Sequence, residues 1–114
     1  MARTHRIAWS PSAQRDLDDI LRYVARSDSV TTALRLYSKL DDRIESLRSL
    51  PRRDRVVPEL KRIGHMEYRE LIVAPYRIVF HLRDHSVGIV AVLDGRRDLE
   101  EVLIERLARE PDGI

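Results

Sequence analysis

Four arginines, Arg69, Arg77, Arg96 and Arg97, stand within one short stretch of the chain, with Tyr68, Glu70 and Tyr76 among them. A guanidinium presents a planar fork of donors that matches a carboxylate or a phosphate, so this set could anchor an acidic partner or hold a phosphoryl group. Glu70 sets another possibility beside that one: an internal ion pair with Arg77, diagonal to it across two strands. The two are compatible in time, since a partner's carboxylate could exchange with Glu70. Other chemistries are poorly supplied. His81 and His85 are four apart, but a turn intervenes, so they do not share a helix face as a metal pair would. His5 and His65 lie far off, with no carboxylate at ligand spacing. The serines lack a nucleophile elbow, and Gly64, Gly88, Gly95 and Gly113 are too scattered for a phosphate loop. The sequence therefore implies no metal and no cofactor.

Three strands must position the arginines. Hydrophobic and β-branched blocks run over Leu71 to Val73, Tyr76 to Leu82 and Val87 to Leu93, separated by turn signals at Ala74-Pro75 and at Arg83 to Ser86. An even-numbered first loop sets Ile72 opposite Arg77 and Glu70 opposite Val79. A four-residue second turn sets Leu82 opposite Val87, Phe80 opposite Ile89 and Ile78 opposite Ala91. Side chains alternate along a strand, so one face collects Leu71, Val73, Tyr76, Ile78, Phe80, Leu82, Val87, Ile89, Ala91 and Leu93, and is the core. The other collects Tyr68, Glu70, Ile72, Arg77, Val79, His81, Val90 and Val92. That second face is too apolar for plain exposure, so another element of the chain or a partner covers it.

Length, charge and composition bound the rest. The chain has 114 residues, read as one domain over 1–114 with a single core, and has no cysteine, which excludes disulfides and suits a reducing cytoplasm. No signal segment follows the N-terminus, and no window approaches the roughly 20 apolar residues of a membrane span. Lys and Arg number 21 against 19 Asp and Glu, a balance of +2, and only Lys39 and Lys61 are lysines. The middle, from Arg52 to Arg62, is basic and the tail after Arg97 is acidic. That pattern fits an acidic partner or nucleic acid, or simply a solvated arginine-rich surface, and leaves direct nucleic-acid binding open.

Along the chain, Thr4 to Trp9 reads as a short strand with Ile7 and Trp9 on one side. Ser10 and Pro11 then start a helix bearing Ala13, Leu17, Ile20, Leu21 and Val24 at helical spacing, and Asp16, Asp18 and Asp19 complement its dipole. Ser27-Asp28-Ser29 breaks the pattern and caps a second helix with Ala33, Leu36, Tyr37, Leu40, Ile44, Leu47 and Leu50 on its apolar face, ended by Pro51. Arg52 to His65 shows no period and reads as a loop. A last helix, Asp98 to Arg109, is capped by Asp98 and offers Leu99, Val102, Leu103 and Leu107. The order β-αα-βββ-α predicts an α+β domain. Its helical hairpin packs on one face of a mainly antiparallel three- to four-stranded sheet, with a short C-terminal helix.

Several runs taken together resemble the RelE/ParE superfamily of toxins from type II toxin–antitoxin systems. They are Trp9 to Ala13, Asp16-Leu17, Tyr23-Val24, Pro58-Glu59-Leu60, Gly64, Tyr68 to Leu71, Pro75 to Phe80 and Gly95 to Leu99. RelE-like members cleave mRNA on the ribosome without metal, whereas ParE-like members are thought to poison DNA gyrase. Arg77 and Arg97 fall on positions that match the nuclease arginines. Where RelE-like enzymes carry lysines on the first meander strand this chain has Tyr68 and Glu70, and where they carry a C-terminal tyrosine it has Leu103. A carboxylate beside a scissile phosphate repels it, and proton transfer lacks one arm. In another nuclease branch Glu59 matches a loop glutamate, but no C-terminal His-Tyr pair accompanies it. The resemblance thus implies a ParE-like gyrase poison that is not an enzyme, acts stoichiometrically in the cytoplasm and forms a hetero-oligomer with a ParD-like antitoxin. A RelE-like ribonuclease and a non-toxic antitoxin-binding member are the alternatives. The implied contact residues for antitoxin or target are Arg69, Glu70, Tyr76, Arg77, Arg96 and Arg97, with an antitoxin burying Ile72, Val79 and Val92.

Overall fold

The computed structural model describes residues 4–49 and 51–109. Leu50 of the expected second helix and the acidic tail from Glu110 lie outside the described residues. Strand β1, Arg6–Trp9, leads into helix α1, Pro11–Ser27. Ser10 is the N-cap, its Oγ accepting from Ala13 N at 3.1 Å, and Pro11 takes the first helical position, where a missing N–H leaves nothing unpaired. Ser29 caps α2, Val30–Glu45, in the same way, accepting from Thr32 N at 3.0 Å. Asp16, Asp18 and Asp19 lie past the first turn of α1, which contains no acid. The macrodipole reaches little beyond that turn, so their dipole role is not realised.

The segment expected to be a loop carries structure. After a 3-10 turn over Pro51–Arg53 come a two-residue strand β2, Arg55–Val56, and a short helix α3, Pro58–Lys61. Strands β3, Tyr68–Val73, β4, Tyr76–Arg83, and β5, Ser86–Asp94, follow, then helix α4, Glu100–Arg109. Leu99 O accepts the first helical bond, from Leu103 N at 2.8 Å, so Asp98, expected as the cap, stands one residue ahead of the cap position, its Oδ1 accepting from Glu100 N at 3.3 Å. The sheet order is β1-β5-β4-β3-β2, with β1 parallel to β5 and every other pairing antiparallel. This is the expected α+β architecture, with β2 added as a fifth strand at one edge.

The first hairpin keeps the expected register, with Ile72 opposite Arg77 and Glu70 opposite Val79 around the Ala74-Pro75 turn. In the second, Leu82 faces Val87 and Phe80 faces Ile89, but Val79 then faces Ala91 and Ile78 faces Val92. Val90 is the extra residue of a β-bulge, and beyond it the faces of β5 exchange. Val92 therefore joins the core under the helical hairpin, with Leu17, Leu40, Ile44, Leu71, Ile78 and Phe80. Ala91 and Leu93, expected on that face, lie on the opposite one. There Val57, Leu60, Leu99 and Leu103 from the α3 and α4 regions pack over Tyr68, Val79 and Val90. The second face is thus covered by the chain itself, and Val79 and Val92 are not available to a partner. Ile72, at 40% exposure, still is.

Where β1 ends opposite Ile89, the outer edge of β5 continues, and an ion pair closes it. Asp16 Oδ2 accepts from Val92 N at 3.0 Å, and Arg106 Nη1 donates to Val90 O at 2.9 Å. The two side chains join in a two-point pair at 2.7 and 2.9 Å, linking α1 to α4. Unpaired edge groups invite another strand, and a charged plug removes that opening.

Candidate functional site

Glu70 and Arg77 meet on the second sheet face, and two further residues complete a line of alternating charge. Arg77 Nε donates to Glu70 Oε1 at 2.5 Å, and Arg55 Nε donates to Glu70 Oε2 at 2.6 Å. The remaining fork of Arg77 donates from Nη1 and Nη2 to the two oxygens of Glu59, each at 2.7 Å. The elements explain the meeting: β2 supplies Arg55 directly opposite Glu70, and Pro58 starts α3 so that Glu59 turns onto the sheet. The Glu70 side chain is wholly enclosed, at 0% exposure. Gly95 lets the β5–α4 turn lie on the stem of Arg77, since a Cβ there would stand 3.0 Å from Arg77 Cγ and Cδ.

The electrostatics follow from this wiring. The Arg77 fork holds the Glu59 carboxyl down to about 2, against the penalty of its burial, and hydrogen bonding to Glu59 in turn raises the Arg77 guanidinium. Each of the three guanidinium nitrogens of Arg77 donates to a carboxylate of the same chain, and the Glu70 side chain is enclosed. A partner of the kind expected to contact them would have to displace these internal pairs. The internal pairing with Glu70 is what forms, because a desolvated guanidinium is held only where carboxylates satisfy it.

The other implied contacts lie elsewhere. Arg69 points to the hairpin side, where its Nη1 donates to Asp54 O at 2.6 Å and more weakly to Arg52 O at 3.4 Å, fixing the chain ahead of β2. Tyr76, Arg96 and Arg97 gather at the far end of the sheet. Arg96 forks onto Asp94, with Nη2 to Oδ2 at 2.6 Å and Nε to Oδ1 at 3.0 Å. Burial, with Asp94 close by, pushes the Tyr76 hydroxyl above its ordinary value. The Arg97 side chain is exposed and makes no hydrogen bond or ion pair among the described residues. The six residues therefore occupy three separate places.

His81 sits on the second face at 5% exposure, edge-on to Tyr68 with ring centroids 6.0 Å apart, and burial lowers its proton affinity. Gly88 makes room for it: a Cβ there would approach His81 Cε1 to 2.5 Å. No group of three His, Cys, Asp or Glu residues that could hold a metal occurs among the described residues.

Two apolar features remain on the outside. Val30, Leu34 and Tyr37 form an exposed stripe on α2, with Tyr23 exposed on α1. Tyr37, expected within the core face, instead borders a cleft with Trp9, Leu17, Leu40 and Ile44. Sequence reasoning also missed Arg55, Asp16 and Arg106 as paired groups. The only local signal was Pro58, a helix start inside the supposed loop.

With this geometry in place, the chain can be set beside known proteins. Residues 7–99 match the family described as the ParE toxin of the type II toxin–antitoxin system parDE. No curated protein matches the sequence. Among solved structures, a chain of the chromosomal ParDE toxin–antitoxin system from P. aeruginosa is similar in fold. The TM-score is 0.65 at 16% identity, covering 78% of this chain and 94% of that one. No helix among the described residues is long and apolar enough to cross a membrane.

Proposed function

Because the chain belongs to the ParE toxin family of type II toxin–antitoxin systems, we propose that it poisons DNA gyrase by stoichiometric binding in the cytoplasm and is neutralised by a ParD-like antitoxin. The observation that carries this reading against RNA cleavage is the closure of the second sheet face. A metal-free nuclease needs open cations there to hold a scissile phosphate, with an acid and a base beside it. Here Arg77, one of the two arginines at matching positions, is sealed between Glu59 and Glu70, which leaves Arg97 alone exposed, and Leu103, buried on the inner side of α4, occupies the place of the terminal acid. A phosphate entering would have to displace two carboxylates from one guanidinium. The protein works as a binding surface and not as a catalyst.

The antitoxin's site on this reading is the hairpin stripe of Val30, Leu34 and Tyr37, which offers the spacing an amphipathic segment engages. Tyr76, Arg96 and Arg97 are further candidates for target or antitoxin contact, since both arginines are exposed and Tyr76 is half-buried beside them. Inducing the toxin without antitoxin, with both readouts taken together, tests the proposal. Loss of supercoiling by purified gyrase and a DNA-damage response are expected. Cleavage of mRNA in the ribosomal A site with gyrase activity intact would overturn it.

A further inference from the structure

Basic charge is concentrated at the β2 edge of the sheet to a degree that the chain's total conceals. Between Arg43 and Arg62 there are seven bases and three acids, whereas the whole chain has a surplus of only two. Two of the three acids are paired, Glu45 with Arg48 at 2.6 Å and Glu59 with Arg77 at 2.7 Å, and the third, Asp54, is half-buried. Arg43, Arg52, Arg53, Lys61 and Arg62 are all exposed and form no salt bridge among the described residues. Arg43, Arg52 and Arg53 are also neighbours in space. Arg43 and Arg53 both act on Asp54, Arg53 donates to Ser46 Oγ at 3.3 Å, and Arg69 binds the carbonyls of Arg52 and Asp54 from beneath.

We propose that this arginine-rich edge binds the phosphate backbone of duplex DNA directly, so that the toxin touches DNA as well as protein. Arginine forks suit phosphate oxygens, and a surplus of unpaired guanidinium groups along one edge complements a polyanion of regular charge. Single strands are a poorer fit, because they are gripped by aromatic platforms between the cations. The exposed aromatics, Tyr23 and Tyr37, lie on the helical hairpin instead. The assignment to a duplex backbone stands on the charge distribution alone. The choice of DNA over RNA rests on the gyrase reading, in which the target complex presents DNA.

The test is fluorescence anisotropy of a labelled DNA duplex of about 20 base pairs, titrated with the purified full chain across a salt series, with no gyrase present. Three or four phosphate contacts predict a slope of log affinity against log salt of about −3 to −4. The variant Arg43→Ala/Arg52→Ala/Arg53→Ala should weaken binding at least tenfold at low salt and flatten the slope by about 2 to 3. The control Arg22→Ala/Arg26→Ala/Arg35→Ala removes the same charge from exposed sites on the hairpin and should change affinity less than threefold. All six side chains are exposed, and circular dichroism melts are to be run on both variants to check that they fold. Equal losses in the two variants, no measurable binding, or tighter binding to an RNA duplex, a single strand or polyglutamate would overturn the inference. A supercoiling assay run in parallel keeps the two proposals apart. Gyrase inhibition without DNA binding defeats this inference and spares the gyrase reading.

Discussion

Replacing Arg77 by Met should behave as a stability mutation and not as the loss of a contact site. Methionine fills the volume of the arginine stem but leaves Glu70 enclosed with only the exposed Arg55 for company, and leaves Glu59 with no donor from the fork. Removing one member of a buried ion pair typically costs about 3–5 kcal/mol. The pH dependence gives a second route to the magnitude. Glu59 falls from 4.5 to about 2 on folding, which is worth about 3 kcal/mol at neutral pH. Because the folded value is depressed, this stabilisation is complete above the unfolded value and is lost as pH falls through the folded one. Linkage leaves about 1.4 kcal/mol at pH 3. Urea unfolding, followed by the single tryptophan Trp9, should therefore show Arg77→Met less stable than the parent by about 3–4 kcal/mol at pH 7. The gap should narrow by about 2 kcal/mol at pH 3. Arg77→Met combined with Glu70→Gln should recover part of the loss, since the stranded charge is gone. A gap below about 1 kcal/mol at pH 7, or one that ignores pH, would refute the network as a structural element. It would restore Arg77 as a candidate anchor.

Three further outcomes are expected. Asp16→Ala should destabilise the fold by about 3 kcal/mol in urea melts and speed amide exchange at Val92, whose N–H loses its acceptor; protection unchanged at that amide would contradict the edge-plug role. Gly88→Ala should cost about 1–3 kcal/mol through collision with His81, and His81→Ala in the same chain should relieve most of it; additive losses in the double variant would disprove the contact. Leu34→Glu with Tyr37→Glu should weaken binding of a ParD-like antitoxin by more than about 30-fold in calorimetry, while unfolding stability moves by no more than about 0.5 kcal/mol per site. Unaltered affinity would place the antitoxin elsewhere.

How far the sequence discloses this molecule depends on whether the deciding signal is local. Caps at Ser10 and Ser29, the periods of α1 and α2, and the register around Ala74-Pro75 are all written within a few residues, and the structure follows them. The bulge at Val90 is not, because Val90 to Leu93 is apolar at every position, so a one-residue slip places no polar group in the core. Strand β2 and helix α3 are too short for a period, and their stability comes from packing against β3 and α4. At the candidate site, the pairing of Arg77 with Glu70 could be weighed from strand geometry, but its stronger grip on Glu59 needed a turn of helix that the composition of Arg52 to His65 hides. Asp16 and Arg106 are 90 positions apart, and nothing near either names the other.

That last pair changes how a shortened chain should be interpreted. The family match ends at residue 99, just before α4 begins, so the C-terminal helix invites removal as though it were an appendage. Its Arg106 is nevertheless the counter-charge of a side chain in the first helix and the donor to a strand carbonyl. Deleting α4 would strand Asp16 and uncover Val79 and Val90, so loss of toxicity in such a truncation would report on the integrity of the whole domain. A helix emptied of its exposed side chains but keeping Leu99, Leu103 and Arg106 is the version that can report on the target.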